Sequence, residues 1–177
     1  MGVLGPRGWH CFGTYGSSGG SLFVMPSAIN PKLFFDSKWE GFRGDVIQIS
    51  GVYGGTSGRW AVGDAISRFF PKHEVFVKQI IANGLAKATD FTSRPYPEDK
   101  LSYRSDSWIE YETPAGTKGL GTQWLIVPND QSIHGMEMLV GQEPDLVSLA
   151  IRLPASMKDL TLVIMNQAEA DAVNGLE

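Results

Sequence analysis

The sequence predicts a single α+β domain with a mainly antiparallel sheet, and three observations lead to that prediction. The chain has 21 glycines among 177 residues and only 19% charged residues, a composition typical of a turn-rich β protein rather than a helical bundle. In its second half, segments with period-two alternation follow one another instead of alternating with helices, which indicates antiparallel pairing. The length suits one domain that buries about 70% of the surface of its unfolded chain.

An N-terminal β-hairpin is predicted where the glycines are densest. Aromatic and β-favouring residues flank residues 16–20 on both sides, and the glycines between them supply the positive φ angles that a tight reversal needs. We expect residues 27–43 to form a loop that packs its aromatic side chains onto the core. Residues 46–53 then alternate as a third strand.

Two helices are predicted in the middle of the chain and one at its end. The hydroxyl of Thr56 or Ser57 can cap the start of the first helix. The second helix covers about residues 73–83, with Gly84 as its C-terminal cap, and the last covers residues 159–173. The residues expected on the inner side of the last helix are Leu160, Val163, Ile164 and Ala168.

About five strands are predicted between the helical pair and the final helix. They cover residues 101–103, 108–113, 123–127, 133–140 and 146–153. In the last of them the apolar residues share one face while Ser148 and Arg152 take the other, a pattern typical of a half-buried strand. We therefore expect helices to cover one face of the sheet and solvent to reach the other.

The domain is expected to span residues 3–175, without an internal repeat or a linker. Residues 1–2 and 176–177 are typical of the remnants that cloning leaves, so we expect that a natural N-terminal segment such as a signal peptide has been removed. No apolar run approaches the ~20 residues that span a bilayer.

The charges and the single cysteine restrict the classes of partner and cofactor. The net charge is −4 with both signs scattered, so no basic stripe exists for a nucleic acid backbone. Cys11 has no second cysteine to pair with, and we expect it to be a small buried hydrophobe. Three isolated histidines do not form a metal-ligand pattern. We expect neither a metal nor another cofactor.

Residues 16–20, Gly-Ser-Ser-Gly-Gly, match the G-x-S-x-G pattern of hydrolase nucleophile elbows. In that interpretation Ser18 is the nucleophile, His134 is its base and Asp130 orients the base, with His10 as the other choice of base. However, an elbow joins a strand to a helix, whereas a second strand is predicted after this segment. We favour a plain hairpin turn.

Residues 54–59, Gly-Gly-Thr-Ser-Gly-Arg, join a predicted strand to a predicted helix. Free N–H groups at a helix start beside a guanidinium suit a carboxylate, sulfate or phosphate, so Thr56, Ser57, Gly58 and Arg59 form a candidate anion site. The segment is neither a P-loop nor a G-x-G-x-x-G motif. An ordinary capped helix after a glycine turn is the favoured alternative.

Aromatic and acidic residues provide two further candidates. Glu110 and Glu112 share one face of a strand, where a solvated surface is the simpler interpretation than paired catalytic carboxylates. Some of the tryptophans could form a surface that stacks on a sugar or another ligand, with core packing as the default. These tryptophans are Trp39, Trp60, Trp108 and Trp124.

Several phrases of the sequence together resemble a family of uncharacterised, exported bacterial proteins of about this domain size. They are PRGWHCFGTYGS at residues 6–17, YGGTSGR at 53–59, YPEDKLSYRS at 96–105, TPA at 113–115 with GLGT at 119–122, and VGQEPDL at 140–146. The resemblance covers nearly the whole chain. It implies a periplasmic or secreted location, but it brings no established activity and no catalytic residue.

Two functional hypotheses follow. The leading one is a small extracytoplasmic binding or interaction module whose polar loops present the site for a small-molecule or protein ligand. The alternative is a small serine hydrolase acting on esters or lactones through Ser18, His134 and Asp130. The sequence determines neither the natural ligand nor the oligomeric state.

Overall fold

Seven antiparallel strands form one sheet in the computed structural model, which describes residues 2–174. Met1 and residues 175–177 lie outside the described residues. They include three of the four residues interpreted as cloning remnants, Met1, Leu176 and Glu177. The strands are β1 (His10–Gly16), β2 (Gly19–Met25), β3 (Val46–Val52), β4 (Lys100–Ser105), β5 (Trp108–Thr113), β6 (Ile133–Val140) and β7 (Asp145–Arg152). Their order across the sheet is β1-β2-β3-β7-β6-β5-β4. The predicted single α+β domain with a mainly antiparallel sheet is confirmed.

The N-terminal hairpin is confirmed as well. Gly16 pairs with Gly19, so Ser17 and Ser18 form the turn between β1 and β2. Gly19 has a φ of +143°, and a Cβ atom there would lie 2.0 Å from the carbonyl oxygen of Gly51, so only glycine fits. A strand, not a helix, follows the turn, and the G-x-S-x-G match is therefore a hairpin turn rather than a nucleophile elbow.

Helices cover both faces of the sheet. They are α1 (Arg59–Phe69), α2 (Glu74–Ala82) and α3 (Leu160–Asn174). Leu146 of β7 belongs to the apolar cluster of α1 and α2, whereas Leu149 belongs to the cluster of α3. Residues an odd number apart in a strand point to opposite faces. We call the side of α1 and α2 the front face and the side of α3 the back face; the expectation that helices cover one face only was wrong.

A layer of aromatic side chains completes the front face. The predicted loop contains a 3-10 turn, Pro31–Phe35, and its aromatic residues pack against the hairpin. The rings in contact are Phe12, Phe23, Phe34, Trp39 and Phe42, with centroids 4.6–6.0 Å apart. Such tilted and edge-on contacts add to the burial of apolar area.

The helix ends follow the sequence only in part. Gly84 caps α2 as predicted, with a φ of +70° and a hydrogen bond from Leu85 N to Ile80 O. Neither Thr56 nor Ser57 caps α1, because Gly58 is the N-cap residue. The Thr56 hydroxyl accepts a hydrogen bond from Gly58 N, one residue before the helix begins.

Three further expectations were wrong. Residues 123–127 form no strand: a 3-10 turn, Leu120–Thr122, precedes them, and their contact with a neighbouring segment is a single parallel bridge from Ile126 to Phe42. On α3, Leu160 and Val163 are 37% and 52% exposed, and Met165 packs inward instead. Cys11 is exposed on the edge strand β1 rather than buried.

Arg152, expected on an open strand face, is completely buried on the front face. Its guanidinium donates hydrogen bonds to the carbonyl oxygens of Gly44, Phe42 and Val127 at 2.9, 2.9 and 2.7 Å. Burial lowers the pKa of this guanidinium, partly opposed by Asp45 and Asp130. Arg152 therefore ties the end of β7 to two loops.

None of the helices in the described part of the chain is long and apolar enough to cross a membrane.

Replacing Arg152 should test this tie. Arg152→Met removes the donors, so the carbonyl oxygens of Gly44 and Val127 lose this partner and Phe42 O keeps only Val127 N. We expect the free energy of unfolding to fall by about 3 kcal/mol or more. Urea denaturation measures the change. Arg7→Met, at an exposed arginine, is the matched control, and equal stability of the two variants would contradict the structural role of Arg152.

Candidate functional site

A cleft of about 440 Å³ opens on the front face between the hairpin turn and the start of α1. Trp60 and Trp124 line it with indoles that are 42% and 44% exposed. The hydroxyl-bearing residues Ser21 of β2 and Ser50 of β3 line it from the sheet. We call this the tryptophan cleft; its volume is in the usual range for small-molecule sites.

Trp60 is positioned by the junction of the hairpin turn with the start of α1. Tyr53 N donates a 2.9 Å hydrogen bond to Ser18 O. Gly58 lies so close to the turn that a Cβ atom on it would stand 2.7 Å from the same oxygen. This close approach requires glycine, and it fixes the first turn of α1, and Trp60 with it, beside the hairpin.

Trp124 is positioned by the segment that follows it. Phe42 N donates to Leu125 O at 2.6 Å, and Val127 N donates to Phe42 O at 2.9 Å. Val127 O in turn accepts from the buried guanidinium of Arg152. A segment without regular secondary structure is thus held by three hydrogen bonds at Leu125 and Val127, which keeps the second tryptophan at the cleft.

A row of polar residues crosses the sheet beneath the front-face layer. Ser21, Ser50, Ser148 and Glu137 lie directly opposite one another on the four adjacent strands β2, β3, β7 and β6. Ser50, Ser148 and Glu137 are 3%, 6% and 3% exposed. We call these four residues the polar row; its Ser21–Ser50 end borders the tryptophan cleft.

Hydrogen bonds connect the members of the polar row in pairs. The hydroxyl oxygens of Ser21 and Ser50 are 2.8 Å apart, and Gln48 Nε2 donates to Ser50 Oγ at 3.1 Å. Ser148 Oγ donates to Glu137 Oε2 at 2.7 Å. Gln48 Oε1 is buried and has no hydrogen-bond partner among the residues that the structure describes.

The Glu137 carboxyl is neutral at pH 7. Its complete burial raises its pKa from 4.5 to about 8, against the smaller opposing effect of the hydrogen bond from Ser148. Loss of the proton would place an unpaired charge in the core. The polar row is therefore uncharged over most of the physiological range.

The tryptophan cleft has an uncharged lining in the part of the chain that the structure describes. None of the described residues that line it is Asp, Glu, Lys, Arg or His. The lining consists of hydroxyl-bearing, aromatic, glycine and small apolar residues. The cleft can therefore offer stacking surface and neutral hydrogen-bonding groups, but no ion pair.

The structure does not bring Ser18 and His134 together. Ser18 is exposed on the hairpin turn and lines the tryptophan cleft. His134 lies on β6, three strands from β2, opposite Ile151, which corresponds to a separation of at least about 14 Å. His10 is opposite Met25, at the other end of the hairpin from the turn.

His134 instead lines a separate cavity of about 410 Å³ together with Asp130, Glu112 and Lys158. Its Nε2 atom is 3.3 Å from Ser132 Oγ. Burial lowers the pKa of His134, and the nearby Glu112 carboxylate opposes that effect in part. Of the three residues singled out for a hydrolase, two thus share a cavity and the third lies elsewhere.

The four residues of the candidate anion site also diverge. Ser57 and Gly58 line the tryptophan cleft. Arg59 borders a different cavity, and its Nε and Nη2 atoms donate to the carbonyl oxygens of Thr56 and Gly55 at 2.6 and 3.2 Å. The Thr56 hydroxyl donates to Tyr53 O. The guanidinium and the hydroxyl are therefore occupied by their own loop.

The remaining candidates lie outside the cleft. Trp39 packs in the aromatic layer and Trp108 packs on the back face. Glu110 and Glu112 pair with Arg104 and Lys100 at 3.0 and 3.1 Å. Within residues 2–174 no three His, Cys, Asp or Glu side chains form a group that could hold a metal ion.

Sequence reasoning missed the polar row. Ser21 and Ser50 contact each other across 29 positions of sequence, and no local pattern announces that contact. The one available signal was the recurrence of small polar residues at the non-apolar positions of strands. That signal is also typical of solvent-facing strand positions.

Comparison of the chain with protein-family models, with curated proteins and with solved structures finds no match.

The raised pKa of Glu137 predicts how stability depends on pH. The folded pKa exceeds the unfolded one, so the contribution of this group is fully present below about pH 4.5 and is lost as the pH rises to about 8. Glu137→Gln keeps an acceptor for Ser148 and cannot ionise. We expect it to be more stable than the original protein by roughly 2–5 kcal/mol near pH 8, and about equal near pH 4.

Thermal or urea unfolding across this pH range measures the effect. Glu143→Gln, at an exposed carboxylate, is the matched control and should leave the pH dependence unchanged. Parallel pH profiles for the original protein and Glu137→Gln would show that Glu137 does not titrate in this way.

Proposed function

We propose that this chain is a binding module that holds an uncharged small molecule in the tryptophan cleft. The observation that carries the proposal is the pair of half-exposed indoles, Trp60 and Trp124, beside a floor of serine hydroxyls. The described residues that line this cleft carry no charge. Polar groups that orient a ligand on a mostly apolar surface are typical of small-molecule sites.

The exposure of the indoles supports a role in binding. Tryptophan is highly buried on average in folded proteins, so a large exposed apolar surface formed by tryptophans is unusual and indicates a binding site. Here two tryptophans from distant parts of the chain are exposed in the same cleft, and each is held there by backbone hydrogen bonds of neighbouring residues. A rigid aromatic wall loses little conformational entropy when a ligand binds.

A binding role fits the residues of the cleft better than hydrolysis does. None of the three histidines pairs with Ser18. His10 and His134 lie at distant positions of the sheet, and His73 Nε2 lies 2.8 Å from Ser107 Oγ instead. A serine nucleophile needs such a base to lose its proton. A binding site needs only the stacking and hydrogen-bonding groups that are present.

The location outside the cytoplasm is part of the proposal and rests on the sequence resemblance alone. A periplasmic or secreted binding module would meet small molecules of the environment. The proposal makes no use of a cofactor.

Removing either indole should weaken binding. We expect a screen of uncharged fragments by ligand-observed NMR to find compounds that bind the original protein, and Trp60→Ala and Trp124→Ala to weaken them at least about 10-fold. Tyr103→Ala is the matched control, because Tyr103 is 56% exposed on the far edge strand β4.

Three results would count against the cleft as the binding site. These are a screen in which no uncharged fragment binds, fragments that bind both tryptophan variants as well as the original protein, and equal losses in Tyr103→Ala.

A further inference from the structure

We infer that the ligand of the tryptophan cleft is a neutral saccharide. The inference rests on the proposed function and adds the chemical class of the ligand. It follows from three features of the cleft: the aromatic walls, the hydrogen-bonding capacity of the serine pair, and the lack of charge.

The aromatic walls match the apolar face of a sugar ring. A pyranose ring carries C–H groups on its faces and hydroxyl groups around its rim. An indole has a negative face that attracts the positive edge of C–H groups, and its large flat area buries apolar surface. Trp60 and Trp124 present such surfaces, each somewhat less than half exposed, on one cleft.

The serine pair can both donate to a ligand and accept from it. A hydroxyl has one donor and two acceptor sites. The Ser21–Ser50 hydrogen bond uses one donor and one acceptor of the pair, and Gln48 Nε2 donates to a further acceptor site, on Ser50. One donor and two acceptor sites remain. A sugar hydroxyl is likewise donor and acceptor, so it complements the pair.

The hydroxyl groups at the rim of the cleft extend the same pattern. Ser18 of the hairpin turn and Ser57 of the loop before α1 are both exposed there. Hydroxyl groups therefore lie both at the floor and at the edge of the cleft that the two indoles line. This arrangement corresponds to a ring with apolar faces and a polar rim.

Other ligand classes use only part of the cleft. A purely aromatic ligand would cover the serine hydroxyls of the floor without forming hydrogen bonds to them. Burying hydroxyl groups without hydrogen-bond partners costs free energy. A small polyol without a ring has no flat face for the indoles. Sugar acids, sugar phosphates and amino acids carry charges, and none of the described lining residues offers a counter-charge.

The test is a titration of the protein with uncharged oligosaccharides. The probes are maltotriose, cellotriose and triacetylchitotriose, and binding is followed by intrinsic tryptophan fluorescence and by isothermal calorimetry. We expect at least one of them to bind, and the corresponding uronic acid oligomers to bind at least about 10-fold more weakly, because they bring an unpaired charge into the cleft.

The variants locate the binding. Trp124→Ala and Ser21→Ala should each weaken the saccharide at least about 10-fold, whereas Tyr103→Ala should leave it unchanged. Ser21 is only partly buried, so Ser21→Ala keeps the fold and tests the serine pair where Ser50→Ala could disturb the core. Saccharide binding that is equal in Trp124→Ala, Ser21→Ala and the original protein overturns the inference.

The two proposals fail in different ways. If no saccharide binds while uncharged aromatic fragments bind and depend on Trp60 and Trp124, the saccharide inference is wrong and the small-molecule site stands. If neither saccharides nor fragments bind, both are wrong. If uronic acid oligomers bind better than neutral ones, the argument from the absence of charge is wrong.

Discussion

The buried guanidinium of Arg152 is the constraint on which the front face depends. A cation in the core is tolerated only when its donors are paired, and here the partners are carbonyl oxygens of Phe42, Gly44 and Val127. These oxygens come from two loops, so the requirement for pairing fixes both loops against the end of β7. Because Trp124 precedes the segment that includes Val127, the position of one wall of the cleft follows from the pairing of this single side chain.

The polar row shows the same principle at the centre of the sheet. Four polar residues in register would weaken an apolar layer if each stood alone, because each buried group needs a partner. The row avoids this by pairing Ser21 with Ser50 and Ser148 with Glu137, and by keeping the proton on Glu137. Only the Ser21–Ser50 end borders the cleft. The fold thus presents hydroxyl groups to a ligand at one end and closes the row with a neutral carboxyl at the other.

Local sequence patterns predicted local structure well, but they predicted poorly how helices and loops cover the two faces of the sheet. The hairpin and the Gly84 cap depend on residues close in sequence, and the structure confirms both. Alternation over residues 146–153 showed correctly which residues share a face, but it holds no information about what covers that face. Ser148 and Arg152 were therefore placed toward solvent and are buried. At the site, the glycine-rich motifs of the sequence pointed to Ser18 and Ser57, and both residues line the cleft. The contact between Ser21 and Ser50 could not be predicted in this way, because it depends on the order of the strands in the sheet, which no local pattern encodes.

The lack of charge in the cleft has a structural cause in the turn that precedes α1. Arg59 begins α1 directly before Trp60, so a cation stands within one residue of the cleft wall. Its guanidinium donates to the carbonyl oxygens of Thr56 and Gly55 and borders another cavity. Those two carbonyls belong to the turn that precedes the helix, and the guanidinium stabilises that turn by satisfying them. The hydrogen bonds that shape the start of α1 thereby hold this positive charge away from the tryptophans, which leaves stacking and hydroxyl groups to select the ligand.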